Sequence, residues 1–146
     1  MREILFRGKS VATQRWVKGF FFKDENGKAY MGYMKKERFY PDTRDYQVVE
    51  FYENNPTYAW IFVKEEVAPE TVGQYTGLND KHGVQIFEGD IVLKRTYQGK
   101  KKFPVSYHDG MFHCGWGGGS STATHGYTLA DKQIEVVGNE YDNEEE

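Results

Sequence analysis

Cysteine is almost missing from this sequence, and so are long apolar runs. Cys114 is the only cysteine among the 146 residues, so no disulfide can form within the chain. A reducing cytosol is the simplest setting for such a chain. No apolar run approaches the length of a membrane span, and the acidic Glu3 stands where a signal peptide would need positive charge and an apolar segment. These absences predict a cytoplasmic protein that does not contact a membrane.

A strong charge of one sign is also lacking. The sequence has 22 acidic and 19 basic residues, which gives a net charge of −3. Five of the acidic residues lie at positions 140–146, and without them the body of the chain would carry +2. That value is far from the strongly basic composition of a dedicated nucleic-acid binder. Residues 140–146 have almost no apolar surface to bury, so an acidic disordered tail is expected there.

Sustained helical periodicity is absent, and short alternating segments take its place. Aromatic residues make up 16% of the sequence, and aromatic residues favour strands. Asn26-Gly27 is a hairpin signal, because the tight turns of hairpins need residues that accept positive φ. Further turns are expected at Asn54-Asn55 and over residues 80–83. The pattern predicts a mainly β fold built from antiparallel hairpins.

A charged break at residues 64–66 divides the predicted strands into two groups. Residues 1–66 are expected to form an N-terminal lobe of β-hairpins. Residues 67–139 contain about five short strands with tight turns, which predicts a small SH3-like or half-open barrel. The tail of residues 140–146 follows. The sequence also allows the alternative that the two lobes form one continuous domain.

The most specific stretch of the chain is residues 69–92, which contains the motifs PETVGQYTG, NDKHG and EGDIV. These motifs resemble those of the YopX family of phage and prophage proteins. Residues 1–7 and 134–139 resemble the opening and closing strands of that family. The chain departs from the family after Asn139, where it lacks the proline of a Tyr-Glu-Asn-Pro-type ending, so the resemblance gives no support for a docked tail.

The resemblance implies a mostly β, self-associating protein that is encoded by a mobile element and acts in the cytoplasm of the host cell. It implies no particular activity and supplies no catalytic residues. The function therefore has to be argued from the residues themselves.

Histidines and the cysteine lie close together in the last third of the sequence. His108, His113, Cys114 and His125 all have side chains that can bind zinc. Their spacing matches no familiar zinc finger or ribbon, and adjacent residues of a strand face opposite sides. Cys114 beside a histidine could be a nucleophile with its base, but no third partner or oxyanion motif accompanies the pair. The sequence therefore predicts no catalytic, cofactor-binding or metal-binding residues, and a protein that is not an enzyme. An enzyme of unknown class stays as the third functional hypothesis, behind the two binding hypotheses below.

Basic residues concentrate in the predicted hairpin at residues 94–102. A positive hairpin tip beside an aromatic side chain can hold nucleic-acid phosphates and stack a base. The alternative is a charged tip that keeps a strand edge from aggregating. The nucleic-acid reading is the second functional hypothesis, and its residues are Lys94, Arg95, Tyr97, Lys100, Lys101 and Lys102.

The aromatic residues of the first half lead to the first functional hypothesis, which is self-association. A lobe this small can hardly bury all of them by itself, and both faces of residues 16–22 are apolar. Leftover aromatic surface marks an interface, and closed homo-oligomers are the commonest way to cover it. A host or phage protein is a further possible partner. The predicted interface residues are Trp16, Phe20, Phe21, Phe22, Tyr46, Phe51, Trp60 and Phe62.

Overall fold

The computed structural model describes residues 1–38, 47–52, 55–115 and 127–142, with the backbone alone for residues 47–52, 55–57 and 127. Antiparallel strands make up most of this part of the chain. The one helical element in it is a short 3-10 turn, Pro69–Thr71. No helix in the described ranges is long and apolar enough to cross a membrane. The predicted mainly β fold of antiparallel hairpins is confirmed, and the SH3-like comparison stays a prediction.

The N-terminal unit comprises Phe6–Val72. Its strands lie in the order β4-β5-β3-β2-β1. Asp24 shapes the predicted turn at Asn26-Gly27, because its carboxylate accepts hydrogen bonds from the N–H groups of Asn26 and Lys28, both at 2.9 Å. The strands are β1 (Phe6–Lys9), β2 (Trp16–Lys23), β3 (Ala29–Arg38), β4 (Gln47–Tyr52) and β5 (Asn55–Glu66).

One face of this N-terminal sheet forms a core. Ala29, Met31 and Val67 are buried there, and four partly buried residues pack against them. Val17 and Phe21 of β2 lie on the same side of the sheet, because side chains alternate along a strand. The four partly buried residues are Phe6, Val17, Phe21 and Val72.

The C-terminal unit comprises Met1–Leu5 and Gly73–Glu146. A first hairpin joins β6 (Gly73–Asn79) to β7 (Gln85–Phe87). A five-stranded sheet follows, in the order β11-β10-β9-β8-β12. Its strands are β8 (Asp90–Thr96), β9 (Gly99–His108), β10 (Met111–Cys114), β11 (Tyr127–Thr128) and β12 (Glu135–Asn139). The buried core of the unit is Ile86, Val92, Val105, Cys114, Leu129 and Ile134.

The boundaries of the units differ from the predicted lobes. The N-terminal unit continues past residue 66, because Val67 donates a backbone hydrogen bond to the carbonyl of Ala29 at 3.0 Å. The first five residues belong to the C-terminal unit, where Tyr75 donates its N–H to the carbonyl of Leu5 at 2.7 Å. Both hydrogen bonds join residues distant in sequence, so local composition could not reveal them.

The structure also corrects the predicted start of the disordered tail. Residues 140–142 form a turn, in which the N–H of Glu140 donates to the carbonyl of Gly89 at 2.9 Å. The side-chain oxygen of Asn139 accepts the N–H groups of Tyr141 and Asp142 at 2.9 and 2.8 Å. The buried Asn139 thus fixes the chain past the end of β12, and residues 143–146 lie outside the described part.

Gly89 lies in the turn between β7 and β8, and its φ of +89° belongs to the left-handed region. A Cβ atom added there would also lie 3.0 Å from Cε2 of Tyr141. We expect Gly89→Ala to destabilise the fold by about 1–3 kcal/mol, because both the backbone strain and the crowded ring oppose a side chain. Urea unfolding followed by tryptophan fluorescence measures the loss, and an unchanged midpoint would contradict this account of the turn.

Candidate functional site

The side of the N-terminal sheet opposite the core carries a group of aromatic rings. Register places Phe20 opposite Gly32 and Phe22 opposite Tyr30, so these four residues share one face. The pairing of β3 with β5 adds Phe62 opposite Met34 and Trp60 opposite Lys36. We call this side the ring face and define it by Phe20, Phe22, Tyr30, Trp60 and Phe62.

Four of these rings contact one another in a continuous row. Phe22 stacks on Tyr30 with ring centroids 5.5 Å apart and an interplanar angle of 21°. Phe20 stacks on Phe22 at 5.5 Å and on Phe62 at 5.6 Å. Stacked rings support one another in fixed orientations, so the row is a preformed apolar surface.

The ring face is partly open to solvent although it is apolar. Phe20 is 51% exposed, Met34 46% and Trp60 38%, whereas Met31 and Ile61 on the other side are buried. An apolar group of this kind on one side of a sheet marks an interaction surface more often than a scatter of single residues does. The ring face is therefore the candidate functional site of the N-terminal unit.

Gly32 lies beneath the row and makes room for it. A Cβ atom at Gly32 would lie 2.6 Å from Cζ of Phe20 and 2.9 Å from Cζ of Phe62. Any other residue would push the two rings apart. The position opposite Phe20 thus needs a glycine so that Phe20 and Phe62 can stack.

Basic side chains border the rings on several strands. Lys64 places its Nζ 4.9 Å from the centre of the Tyr30 ring, and Lys36 places its Nζ 5.3 Å from the centre of the Tyr58 ring. Such contacts are cation–π interactions and hold the ammonium groups beside the aromatic surface. Register and alternation put six basic residues on this side of the sheet: Arg7, Lys9, Lys18, Lys36, Arg38 and Lys64.

Acidic side chains lie mainly on the core side of β3 and β5. Glu37 pairs with Lys35 at 3.4 Å, and Glu65 accepts a hydrogen bond from the hydroxyl of Tyr33 at 3.3 Å. On the ring side, Glu66 pairs with Lys28 at 3.6 Å, and Asp24 accepts a hydrogen bond from the hydroxyl of Tyr30 at 3.5 Å. Among the described side chains of the ring side, basic residues thus outnumber acidic ones, although the protein is acidic overall.

The structure brings five of the eight predicted interface residues to the ring side: Trp16, Phe20, Phe22, Trp60 and Phe62. Phe21 lies on the opposite side and packs with Phe6 in the core, at a centroid distance of 6.0 Å. Tyr46 lies outside the described residues, and Phe51 is described by its backbone alone, opposite Ala59. Sequence reasoning missed Tyr30, Gly32 and the bordering lysines, which only the strand register assigns to this face.

The predicted basic hairpin forms between β8 and β9, but its residues do not share one face. Lys94 pairs with Lys101 across the strands, whereas Arg95 pairs with Lys100 and points to the other side. Lys94 is largely buried, and its Nζ lies 2.8 Å from Oδ2 of Asp131. This ammonium holds the pKa of the Asp131 carboxyl below its usual value. Lys102 shares the face of Arg95 and Lys100, and Tyr97 lies 88% exposed in the turn.

The histidines and the cysteine of the last third of the sequence were the other candidate group. Cys114 is fully buried in the core of the C-terminal unit, and burial raises the pKa of its thiol to about 11. A thiol with this pKa is almost entirely protonated at neutral pH, which is the opposite of an activated nucleophile. Within the described ranges no three His, Cys, Asp or Glu residues stand close enough to hold a metal ion, and His125 lies outside those ranges.

Comparison with known proteins agrees with this fold. The crystal structure of protein EF1440 from Enterococcus faecalis matches with a TM-score of 0.50 and 20% sequence identity, over 99% of this chain and 98% of that one. At that identity the similarity shows the fold alone. No curated protein sequence gives a significant match. The family model described as YopX protein matches residues 6–145. This match covers nearly the whole chain, and the protein therefore belongs to the YopX family.

Proposed function

We propose that this YopX-family protein is a binding protein rather than an enzyme, and that the ring face is its binding surface. The observation that carries the proposal is the continuous row Tyr30-Phe22-Phe20-Phe62 on the exposed side of a sheet whose other side is the core. Burying such rings against a partner would release ordered water and stabilise the complex. The exposed rings thus favour binding over a purely structural role.

A second copy of the chain is the first partner that we propose. The exposed side chains Phe20, Met34 and Trp60 provide apolar area near the middle of the face, as in the core of a protein interface. A twofold dimer would use the same patch on both copies, so each ring row would pack against the other. We call the six basic residues around the rings the basic border: Arg7, Lys9, Lys18, Lys36, Arg38 and Lys64. Their charges determine how the stability of the dimer depends on salt.

Salt should strengthen this self-association. Two ring faces packed directly together would bring their lysines and arginines close to one another, and like charges repel. At about 1 M salt the Debye length is only about 3 Å, so the repulsion is screened while burial of the rings still stabilises the dimer. The predicted homo-oligomer is therefore one that forms more completely at high ionic strength.

Light scattering at micromolar concentration tests the self-association. We expect the mass of a dimer or larger assembly for the wild type at high salt, and a monomer for the double variant with Phe20→Ser and Trp60→Ser. Tyr107→Ser is the matched control, because Tyr107 is a comparably exposed aromatic residue of a strand in the C-terminal unit. A monomer mass for the wild type at every salt concentration would refute self-association and leave the ring face to another partner.

A further inference from the structure

We propose that the ring face binds single-stranded DNA, with bases stacked on the aromatic row and phosphates held by the basic border. The inference rests on the proposed function, namely that the ring face is the binding surface, and it names a ligand that would occupy this face in place of a second copy of the chain. This nucleic-acid site differs from the one predicted from the sequence, which was the hairpin of residues 94–102.

The aromatic row has the properties of a stacking platform. The ring of Phe20 stacks between those of Phe22 and Phe62, at centroid distances of 5.5 and 5.6 Å and interplanar angles of 29° and 21°. Phe20, the central ring of the three, is half exposed. Every base has a flat aromatic face, so a platform of this kind accepts bases without reading their sequence.

The basic border supplies charges at the right places for a phosphate backbone. Lys18, Lys36, Arg38 and Lys64 are exposed, and Arg7 and Lys9 lie beside the ring of Trp16, with the Arg7 guanidinium carbon 4.5 Å from its centre. The cations therefore lie beside the rings, so one strand could place its bases on the rings and its phosphates on the cations. A protein of net charge −3 that gathers six basic residues on one side complements a polyanion there.

Recognition by aromatic rings favours a single strand over a duplex. In a duplex the bases stack on one another and only their edges are accessible in the grooves, so rings on a flat sheet cannot reach base faces. The centre of the platform favours DNA over RNA. Phe20, Phe22 and Phe62 have no hydrogen-bonding group, so a ribose 2′-hydroxyl placed over them would lose its water without gaining a partner.

Fluorescence anisotropy of the full-length protein with a labelled oligothymidylate of about 12 nucleotides tests the inference. At low salt the wild type is expected to bind, and its affinity should fall as salt rises, opposite to the salt dependence of self-association. Phe20→Leu should weaken binding about tenfold, because leucine keeps an apolar side chain but cannot stack. Gly32→Ala should also weaken it, since the added Cβ displaces the rings of Phe20 and Phe62.

Matched controls separate stacking from charge. Tyr107→Leu removes an aromatic residue that is 52% exposed, against 51% for Phe20, and is expected to leave the affinity unchanged. Lys64→Ala should reduce the slope of log affinity against log salt by about 0.7, because one phosphate contact is lost. Lys132→Ala removes an exposed lysine of the C-terminal unit and should leave that slope unchanged. Thermal unfolding confirms that each variant is folded.

The competing outcomes have distinct signatures. Full affinity in Phe20→Leu and Gly32→Ala, or an equal loss in Tyr107→Leu, would overturn the inference, and so would equal binding of duplex DNA or inorganic polyphosphate. Tighter binding of oligouridylate would overturn the choice of DNA. If no oligonucleotide binds but Phe20→Ser with Trp60→Ser abolishes self-association, the inference fails and the proposed function stands. If these variants change neither property, both fail.

Discussion

Replacing Asp80 by alanine is expected to lower the free energy of unfolding by about 3–5 kcal/mol. The Asp80 carboxylate is buried and accepts three backbone hydrogen bonds. One oxygen takes the N–H groups of His82 and Val84 at 2.8 and 2.9 Å, and the other takes the N–H of Val136 at 2.9 Å. Alanine would leave these three donors without their acceptor, and each unsatisfied buried donor costs about 1–3 kcal/mol.

This stabilisation should also depend on pH. Burial by itself would raise the pKa of the Asp80 carboxyl, but the N–H donors of Val136, Val84 and His82 together outweigh it and lower the pKa. A folded-state pKa below the unfolded value of about 3.9 means that the stabilisation is fully present above that value. It is lost as the pH falls through the folded-state pKa. The difference between wild type and Asp80→Ala should therefore shrink in strong acid.

Asp24 provides the matched control. Its carboxylate accepts two backbone N–H groups in the same way, within the exposed turn after β2. Water can replace the carboxylate there, so Asp24→Ala should lose much less stability than Asp80→Ala. Urea unfolding at neutral pH and again below pH 4 compares the two variants. Equal losses at neutral pH would show that the Asp80 network does not stabilise the fold as described.

The Asp80 turn shows what local sequence could predict. Asn79-Asp80 followed by Gly83 indicates a tight turn, because Asp side chains bond nearby N–H groups, and this turn forms. The third hydrogen bond, from Val136, joins residues 56 positions apart and has no local signal. The same limit explains why the unit boundaries were not predicted. The hydrogen bond from Tyr75 to Leu5 joins residues that are separated in sequence by the whole N-terminal unit.

The ring face was only partly predictable for a related reason. Alternation along β2 correctly groups Phe20 with Phe22 and separates both from Phe21. Alternation does not say which of two apolar sides becomes the core. That choice follows from register: Met31 on the core side meets Val67 and Phe21, whereas Gly32 on the other side leaves space for rings. The basic border, drawn from four strands, becomes one surface only after β1, β2, β3 and β5 are paired.

Gly19→Ala is expected to be the second strongly destabilising change, with a loss of about 3 kcal/mol or more. A Cβ atom at Gly19 would overlap the carbonyl oxygen of Gly32 and crowd Cγ of Met31 at 3.4 Å. The carbonyl belongs to the backbone of β3, which pairs with both β2 and β5. Neither strand can move aside without breaking ladder hydrogen bonds or disturbing the buried Met31, so the methyl group cannot be accommodated cheaply.

Gly32→Ala makes the same chemical change on the paired strand and should cost far less stability. Its Cβ would meet only the outer ends of the Phe20 and Phe62 rings, and Phe20 can turn toward solvent because half of it is already exposed. Urea unfolding of the two variants side by side measures the difference. If Gly32→Ala were as destabilising as Gly19→Ala, the rings would be part of what holds the sheet together. If it keeps wild-type stability and loses ligand binding, the row of rings is maintained for a partner and not for the fold.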